Sequence, residues 1–180
     1  NVGLLPAAII GLDIKKLLIG AKAEIDAFLE SPKENLIINA VATHQQMAKK
    51  GCNIHILLPY MDCLSGFTRW ACQIWSESLG KAGHGTTPYP AMGTIDQHSQ
   101  LQLWLNGPKD KLITLITEDQ SGAGATINPN YIKSETLNFI SGRTMGDIIS
   151  TSQEATRDSL VAAGVPIRQI ALKELTTQCF

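Results

Sequence analysis

Two acid/base side chains, Glu77 and His98, stand on either side of a Gly/Pro-rich stretch in the middle of the chain. Glu77 lies where a helical pattern ends, and the negative end of a helix dipole disfavours a charged carboxylate. His98 lies in the first turn of the next helical pattern, where the positive end of the dipole favours neutral imidazole. A carboxyl that holds its proton more readily and an imidazole that stays neutral suit general acid–base catalysis.

The residues around this pair favour specific helix ends. Gln73 precedes Glu77 by four residues, so the two side chains leave one helix face, and we expect them to point into one cleft. Thr94 and Gln97 match the capping box T-x-x-Q, which predicts Thr94 as the N-cap of the helix that carries His98. A simpler interpretation remains open, namely two capped helices joined by a surface loop.

The composition is that of one globular domain. The chain has 180 residues, a formal net charge of −1 and 44% hydrophobic residues, enough for its own core. Near-neutral charge argues against binding to nucleic acid or to an anionic membrane surface. The longest apolar run, Val2 to Leu12, is shorter than the ~20 residues that span a bilayer. It also lacks the basic leader and cleavage site of a signal peptide.

The cysteines and histidines do not form a metal-binding pattern. No C-x-x-C pair occurs among the four cysteines, which lie inside apolar patterns, so we expect reduced, buried thiols (Cys52, Cys63, Cys72 and Cys179). The four histidines do not combine with them at zinc-ligand spacing, and we predict no metal site.

The hydrophobic patterns alternate between helix and strand periods. They predict helices over 13–28, 34–50, 64–79, 96–104 and 144–163, and strands over 53–58, 111–117 and 166–172. Residues 118–131 form a polar loop, and the 64–79 helix is predicted to face inward with Phe67, Trp70, Ala71, Ile74 and Trp75. This order indicates an α/β fold, a parallel sheet flanked by helices on both faces.

Both ends of the chain predict a truncated domain. Residues 1–11 begin as an apolar run with no initiator Met and no capping sequence. The final strand is followed by only a few residues, where a fold of this kind normally adds a covering helix.

Two sequence elements resemble bacterial glucose-6-phosphate isomerases. One is Gln73-Ile74-Trp75-Ser76-Glu77-Ser78-Leu79-Gly80-Lys81, an E-S-x-G-K element, and the other is Thr94-Ile95-Asp96-Gln97-His98-Ser99, a Q-H element. The resemblance extends over the whole chain. It implies that 1–180 is the second of that family's two sugar-isomerase (SIS) domains, with a flavodoxin-like parallel sheet.

The resemblance also implies a reaction and residue roles. The family interconverts glucose 6-phosphate and fructose 6-phosphate in the cytoplasm, in glycolysis and gluconeogenesis, with no metal or organic cofactor. Glu77 matches the glutamate that moves a proton between C1 and C2 through a cis-enediolate. His98 matches the histidine that assists ring opening and that reaches in from the partner subunit of a homodimer. Gln73 matches a glutamine that hydrogen-bonds the substrate.

Parts of the family pattern have no match in the 180 residues. The first SIS domain with its phosphate cradle, the arginine of the G-G-R-[FY]-S element and the C-terminal catalytic lysine are not in the sequence. Neither Lys81 nor Lys173 stands in the lysine's motif. We therefore expect the 1–180 chain by itself to be inactive.

Two other functions are weaker. A non-catalytic SIS domain that binds a sugar phosphate for regulation would need a Ser/Thr-rich loop at a helix N-terminus, for which residues 121–126 are the candidate. A cysteine hydrolase would need a thiol beside a histidine, and no predicted element provides that pair.

Overall fold

The computed structural model of the chain describes residues 2–33, 35–173 and 175. These residues fall into two compact units. One contains residues 47–172, and the other contains the described residues of 1–46 and 173–180.

The smaller unit is helical. It contains α1 (Leu4–Ile9), α2 (Ile14–Glu30) and most of α3 (Leu36–Lys49). The carboxylate of Asp13 accepts the backbone N–H of Lys16 at 3.1 Å, so Asp13 caps α2. Gly51 follows α3 with φ +97°, a conformation that favours glycine. The two long helices predicted in this part of the chain are confirmed.

The larger unit is built on a parallel sheet of four strands in the order β2-β1-β3-β4. The strands and helices follow in the chain order β1 (Ile54–Pro59), α4 (Ser65–Leu79), β2 (Thr87–Pro90), α5 (Ile95–Asn106), β3 (Lys111–Glu118), α6 (Met145–Ala162) and β4 (Ile167–Leu172). Short 3₁₀ helices lie at Asp62–Leu64, Pro129–Tyr131 and Glu135–Ile140. The predicted α/β fold with a parallel sheet is confirmed.

The hydrophobic core lies on one face of this sheet. Ile56 and Leu58 of β1 and Ile113 and Leu115 of β3 are almost completely buried there, against side chains of α5 and α6 that include Trp104 and Leu160. The crossover from β1 to β2 runs towards one side of the sheet, and the crossovers from β2 to β3 and from β3 to β4 run towards the other side. Because such crossovers are right-handed, α4 lies on the face opposite to α5 and α6. Helices therefore flank the sheet on both sides.

Strand β2 differs from the prediction, which assigned its residues to a loop. Thr87, Pro88, Tyr89 and Pro90 pair in parallel with residues 54–57 of β1. Two prolines in four residues argue against a central strand, because proline cannot donate to the ladder. The position of β2 at the edge of the sheet removes that objection, and the edge position is not visible in the local sequence.

Helix α4 is rotated relative to the prediction. Its buried or half-buried residues follow the stripe Leu64, Thr68, Ala71, Cys72 and Trp75, whereas Trp70 and Ile74 are exposed. Placing Trp70 and Ile74 inward was wrong. The helix carries apolar residues on two faces, and hydrophobic periodicity alone does not say which face packs on the sheet.

The cysteines are only partly buried. Cys52 is buried, Cys72 is half-buried, and burial raises the pKa of both thiols. Cys63 is exposed, contrary to the prediction, because it lies in the 3₁₀ turn before α4 and not inside a helix. These three thiols are free, and Cys179 lies outside the described residues. Within the described ranges, no helix combines the length and apolarity needed to cross a bilayer.

Gly146 lets the first turn of α6 pack against the turn after β3. A Cβ on Gly146 would lie 1.9 Å from the backbone oxygen of Gln120 and 3.0 Å from that of Ala123. Both neighbours are backbone atoms, so a side chain at this position requires the turn or the helix to move.

We predict that Gly146→Ala lowers the free energy of unfolding by about 1–3 kcal/mol, the usual cost of overpacking. Gly66→Ala is the matched control, because Gly66 lies in the first turn of α4 with no atom within 4 Å of its Cβ position. Alanine is the better helix former, so the control should be neutral or stabilising. Urea denaturation measures both variants, and equal effects would contradict the packing argument.

Candidate active site

Gln73 and Glu77 form a hydrogen-bonded pair near the end of α4. The amide Nε2 of Gln73 donates to the carboxylate Oε1 of Glu77 at 3.1 Å, and both side chains are exposed. The shared face that the spacing predicts is therefore present. The expectation that they point into one cleft was wrong for the described residues, because both side chains lie exposed on the outer face of the helix. The carboxylate is therefore accessible to a solute.

The end of α4 is fixed by local contacts. The N–H of Gly80 donates to the carbonyl of Ser76 at 3.1 Å, and the Ser76 hydroxyl donates to the carbonyl of Cys72 at 2.9 Å. A Cβ on Gly80 would meet the Ser76 oxygen at 2.8 Å. The chain therefore turns tightly behind the last helical turn, which is the turn that carries Glu77.

The start of α5 is held differently from the predicted capping box. The Thr94 side chain makes no capping hydrogen bond. Gln97 does not reach back to Thr94, because its Oε1 accepts the hydroxyl of Tyr60 at 2.8 Å. The carboxylate of Asp96 instead accepts the backbone N–H of Met92 at 2.7 Å and so ties the preceding loop to the helix. The capping-box prediction was wrong, although the helix begins where it was expected.

His98 is exposed in the first turn of α5. Its backbone N–H donates to the Thr94 carbonyl at 3.0 Å, so the residue is already helical. The imidazole borders a shallow depression of about 460 Å³ along the exposed side of α5, with Gln97, Leu101 and Gln102 among its other neighbours.

Glu77 and His98 lie at opposite ends of the parallel strands, which we call the amino edge and the carboxyl edge of the sheet. Helix α4 runs back from the carboxyl ends of the strands, so Glu77 in its last turn lies at the amino edge. Helix α5 begins after β2 ends, so His98 in its first turn lies at the carboxyl edge. A helix of 15 residues separates the two edges by about 22 Å. The chain therefore does not bring the two side chains together within one copy.

A crevice of about 570 Å³ opens at the carboxyl edge of the sheet. Its lining includes residues that end or follow β1, β2 and β3, among them Asp62, Cys63, Thr94, Glu118 and Gln120. The two carboxylates make this crevice unsuitable for a phosphate group, since an anion gains nothing beside like charges.

A buried polar row crosses the α4 face of the sheet, and the sequence interpretation did not include it. His55 of β1 lies 2.8 Å from the hydroxyl of Thr114 of β3, and Arg168 of β4 contacts both. Trp75 of α4 packs on His55 with ring centroids 4.9 Å apart, and its indole N–H donates to the Thr86 carbonyl at 3.2 Å. This row connects the centre of the sheet to the turn before Glu77.

Three consecutive backbone donors of the loop at residues 119–126 are occupied. The N–H of Ser121 donates to Asp119, that of Gly122 to Asp147, and that of Ala123 to the Gln120 carbonyl, at 2.9–3.0 Å. A phosphate-binding loop requires free N–H groups directed at the ligand. The loop therefore does not resemble a phosphate cradle. Among the described residues there is also no group of three or more His, Cys, Asp or Glu side chains that could hold a metal ion.

Comparison with known proteins identifies relatives over nearly the whole chain. The glucose-6-phosphate isomerase of Rubrobacter xylanophilus is 40% identical over 178 residues, which cover 98% of this chain and 41% of that protein. The probable glucose-6-phosphate isomerase of Natronomonas pharaonis is 40% identical and is covered to 40% of its length. No family model matches the chain.

A solved structure has the same fold. The crystal structure of a hypothetical protein from Thermus thermophilus superimposes with a TM-score of 0.85 at 32% identity, over 98% of this chain and 43% of that protein. The chain thus spans about two fifths of the length of the relatives that it matches. The resemblance drawn from the E-S-x-G-K and Q-H elements is confirmed.

Asp147 gives the loop at residues 119–126 a pH-dependent contact. Its carboxylate accepts the N–H of Thr144 and that of Gly122, each at 2.9 Å, and these bonds lower the pKa of the carboxyl. A carboxyl whose pKa is lower in the folded state stabilises the fold above the unfolded value of about 3.9, and that contribution is lost as pH falls through the folded pKa.

We predict that Asp147→Asn unfolds at lower urea concentration than the wild type at neutral pH, because one amide oxygen cannot accept both N–H groups. The difference between the two proteins should shrink as the pH is lowered below about 4. Urea denaturation from neutral to acid pH measures this. A difference that stays constant over the whole range would contradict the carboxylate's role.

Proposed function

We propose that this chain is the part of a glucose-6-phosphate isomerase that supplies the catalytic base, corresponding to the second SIS domain over residues 1–180. The observation that supports the proposal most strongly is the exposed Gln73–Glu77 pair in the last turn of α4. It occurs in a chain that is 40% identical to a named isomerase over 98% of its length. The whole enzyme would act on hexose 6-phosphates, in the cytoplasm.

In this proposal Glu77 is the proton-transfer group. Its carboxylate removes the proton from C2 of open-chain glucose 6-phosphate and returns it to C1, while the hydroxyl proton moves from O2 to O1. The intermediate is a cis-enediolate, and the reaction needs no change in oxidation state of any protein group. Gln73 holds the Glu77 carboxylate by a hydrogen bond at 3.1 Å and can turn its amide towards a substrate hydroxyl.

His98 assists opening of the sugar ring and acts across a dimer interface. The position of His98 at the carboxyl edge of the sheet, opposite Glu77, supports this division between two copies. Its exposure at the start of α5 leaves the imidazole accessible to a second subunit. A homodimer would then contain two sites, each with Glu77 from one copy and His98 from the other.

The remaining parts of the site come from outside these 180 residues. The phosphate must be held in place so that C1 and C2 lie close to the carboxylate, and such positioning can supply ~7–11 kcal/mol of a barrier. The basic groups that stabilise an enediolate belong, by resemblance, to the longer protein. A regulatory sugar-phosphate domain is not favoured, because the loop at residues 119–126 has no free backbone donors at residues 121–123.

We predict that Glu77→Gln in the whole protein abolishes exchange of the C2 hydrogen with solvent and lowers kcat by about 10²–10⁴, the usual contribution of a general base. Glu154→Gln, an exposed glutamate of α6, is the control and should leave both unchanged. A coupled assay and exchange in D₂O measure the two effects. Residues 1–180 alone should show no turnover in the same assay, and near-normal exchange in Glu77→Gln would remove the basis of the proposal.

We predict that two inactive variants of the whole protein complement each other. A mixed dimer of Glu77→Gln and His98→Ala subunits has one site with both substitutions and one site with neither. After unfolding and refolding together, the mixture should recover about a quarter of wild-type activity, since about half of the dimers are mixed. Each variant refolded alone is the control. No recovery from the mixture would show that both residues act from the same subunit.

A further inference from the structure

The two faces of the sheet differ in chemistry. The α5/α6 face is lined by aliphatic side chains, whereas the α4 face carries the row of His55, Thr114 and Arg168 on three neighbouring strands. His55 is 2% exposed, Thr114 is fully buried and Arg168 is half-buried. Polar groups at this depth persist only with well-placed hydrogen bonds, so the arrangement of their donors and acceptors is specific.

The hydrogen bonds fix the form of the His55 imidazole. A guanidinium can only donate, so Nε2 of His55 accepts from Nη2 of Arg168, 3.2 Å away. The Thr114 hydroxyl oxygen accepts from Nε of Arg168 at 3.0 Å, and its own hydrogen is then directed to Nε2 of His55 at 2.8 Å. Nε2 has a single lone pair, which the two donors share in a three-centre contact. An Nε2 that accepts carries no hydrogen, so the ring is neutral and its proton lies on Nδ1.

His55 in turn supports α4. The ring of Trp75 meets the His55 ring edge to face, with 4.9 Å between centroids and 61° between planes. Trp75 lies two residues from both Gln73 and Glu77, which places it about 200° around the helix from each of them. A side chain anchored on the inner face therefore sets the rotation of the turn that presents Gln73 and Glu77 on the outer face.

We propose that Arg168 and Thr114 are positioning residues for the Gln73–Glu77 turn. By donating together to Nε2 they hold His55 as the neutral, Nδ1-protonated ring on which Trp75 packs. This inference rests on the proposed function of Glu77, because it assigns these buried residues a role in the reaction of that carboxylate. It assigns them no contact with the substrate.

The first test examines the ring itself and does not depend on activity. Long-range ¹H–¹⁵N spectra of the imidazole, recorded on the whole protein, distinguish the two tautomers. We expect His55 to carry its proton on Nδ1 from about pH 5 to about pH 8, the range in which an unrestrained histidine titrates. In Arg168→Met the ring should titrate or populate both tautomers. A wild-type ring with its proton on Nε2 would overturn the inference.

The second test measures catalysis in the same variants. Arg168→Met should lower kcat about ten- to hundredfold, as expected for a small displacement of the base, with KM changed less than about twofold. Arg168→Lys, which keeps one charged donor, should recover part of the loss. Arg157→Met is the matched control, because Arg157 lies on α6, on the opposite face of the sheet from the His55 row, in an ion pair with Asp158. It should leave kcat and the His55 spectrum unchanged.

A third pair of variants decides the result if Arg168→Met does not fold. Thr114→Val removes the hydroxyl with little change in volume, and Thr114→Ser retains it. Thr114→Val should lower kcat and let the His55 ring titrate or populate both tautomers. Thr114→Ser should keep kcat and the tautomer as in the wild type. If the His55 ring titrates or populates both tautomers while kcat stays within twofold of the wild type, the positioning role is wrong. If Glu77→Gln itself keeps full activity, the proposed function fails, while the spectra still report on the His55 row.

Discussion

The pairing of β1 with β3 at the centre of the sheet is the constraint on which the rest of the larger unit depends. Residues 54–59 pair with residues 111–116 in parallel register, and both strands are flanked by another strand. This pairing aligns the carboxyl ends of the strands at one edge and directs the helices back towards the other. The distance between Glu77 and His98 is therefore a property of the topology and does not depend on any loop.

The same pairing separates two tasks between the faces of the sheet. The face under α5 and α6 provides apolar burial, the main source of stability, at about 25 cal/mol per Å². The face under α4 carries a histidine, a threonine and an arginine in contact. A buried network of this kind contributes little net stability but restricts the geometry to one arrangement. If Glu77 acts as the proposed base, the helix that presents it benefits more from that restriction than from additional apolar area.

Much of the fold could be predicted from local sequence. Three of the four strands and the long helices follow from periodicity, and the helix predicted from residue 144 begins there. Local sequence did not reveal β2, because its strand character depends on an edge position set by the whole sheet. It misplaced Trp70 and Ile74, because α4 has two apolar faces. The predicted capping box of Thr94 and Gln97 does not form, because Gln97 accepts a hydrogen bond from Tyr60, a residue 37 positions earlier in the chain.

Only the sequence motifs allowed the candidate site to be predicted. Gln73 and Glu77 share a face as their spacing requires, whereas the row at His55 joins residues up to 113 positions apart. Each of the three predicted strands carries one polar residue of this row inside an apolar pattern. These polar residues are the only indication of the row that the sequence contains. Their contact depends on strand register, which a single sequence does not specify. The roles of Glu77, His98 and Gln73, and the assignment of 1–180 to one SIS domain, remain predictions.

The two prolines of β2 affect how copies of this fold can associate. The N–H groups of Thr87 and Ala91 donate to the carbonyls of Asn53 and Leu57 on the β1 side. The backbone groups at the alternate positions, Pro88 and Pro90, therefore face the free side of the strand. The free side of β2 consequently has no backbone N–H at either position. A neighbouring chain cannot extend the sheet there by strand addition, a common route to unwanted fibrillar growth. Association on this flank must therefore rely on side chains and shape complementarity.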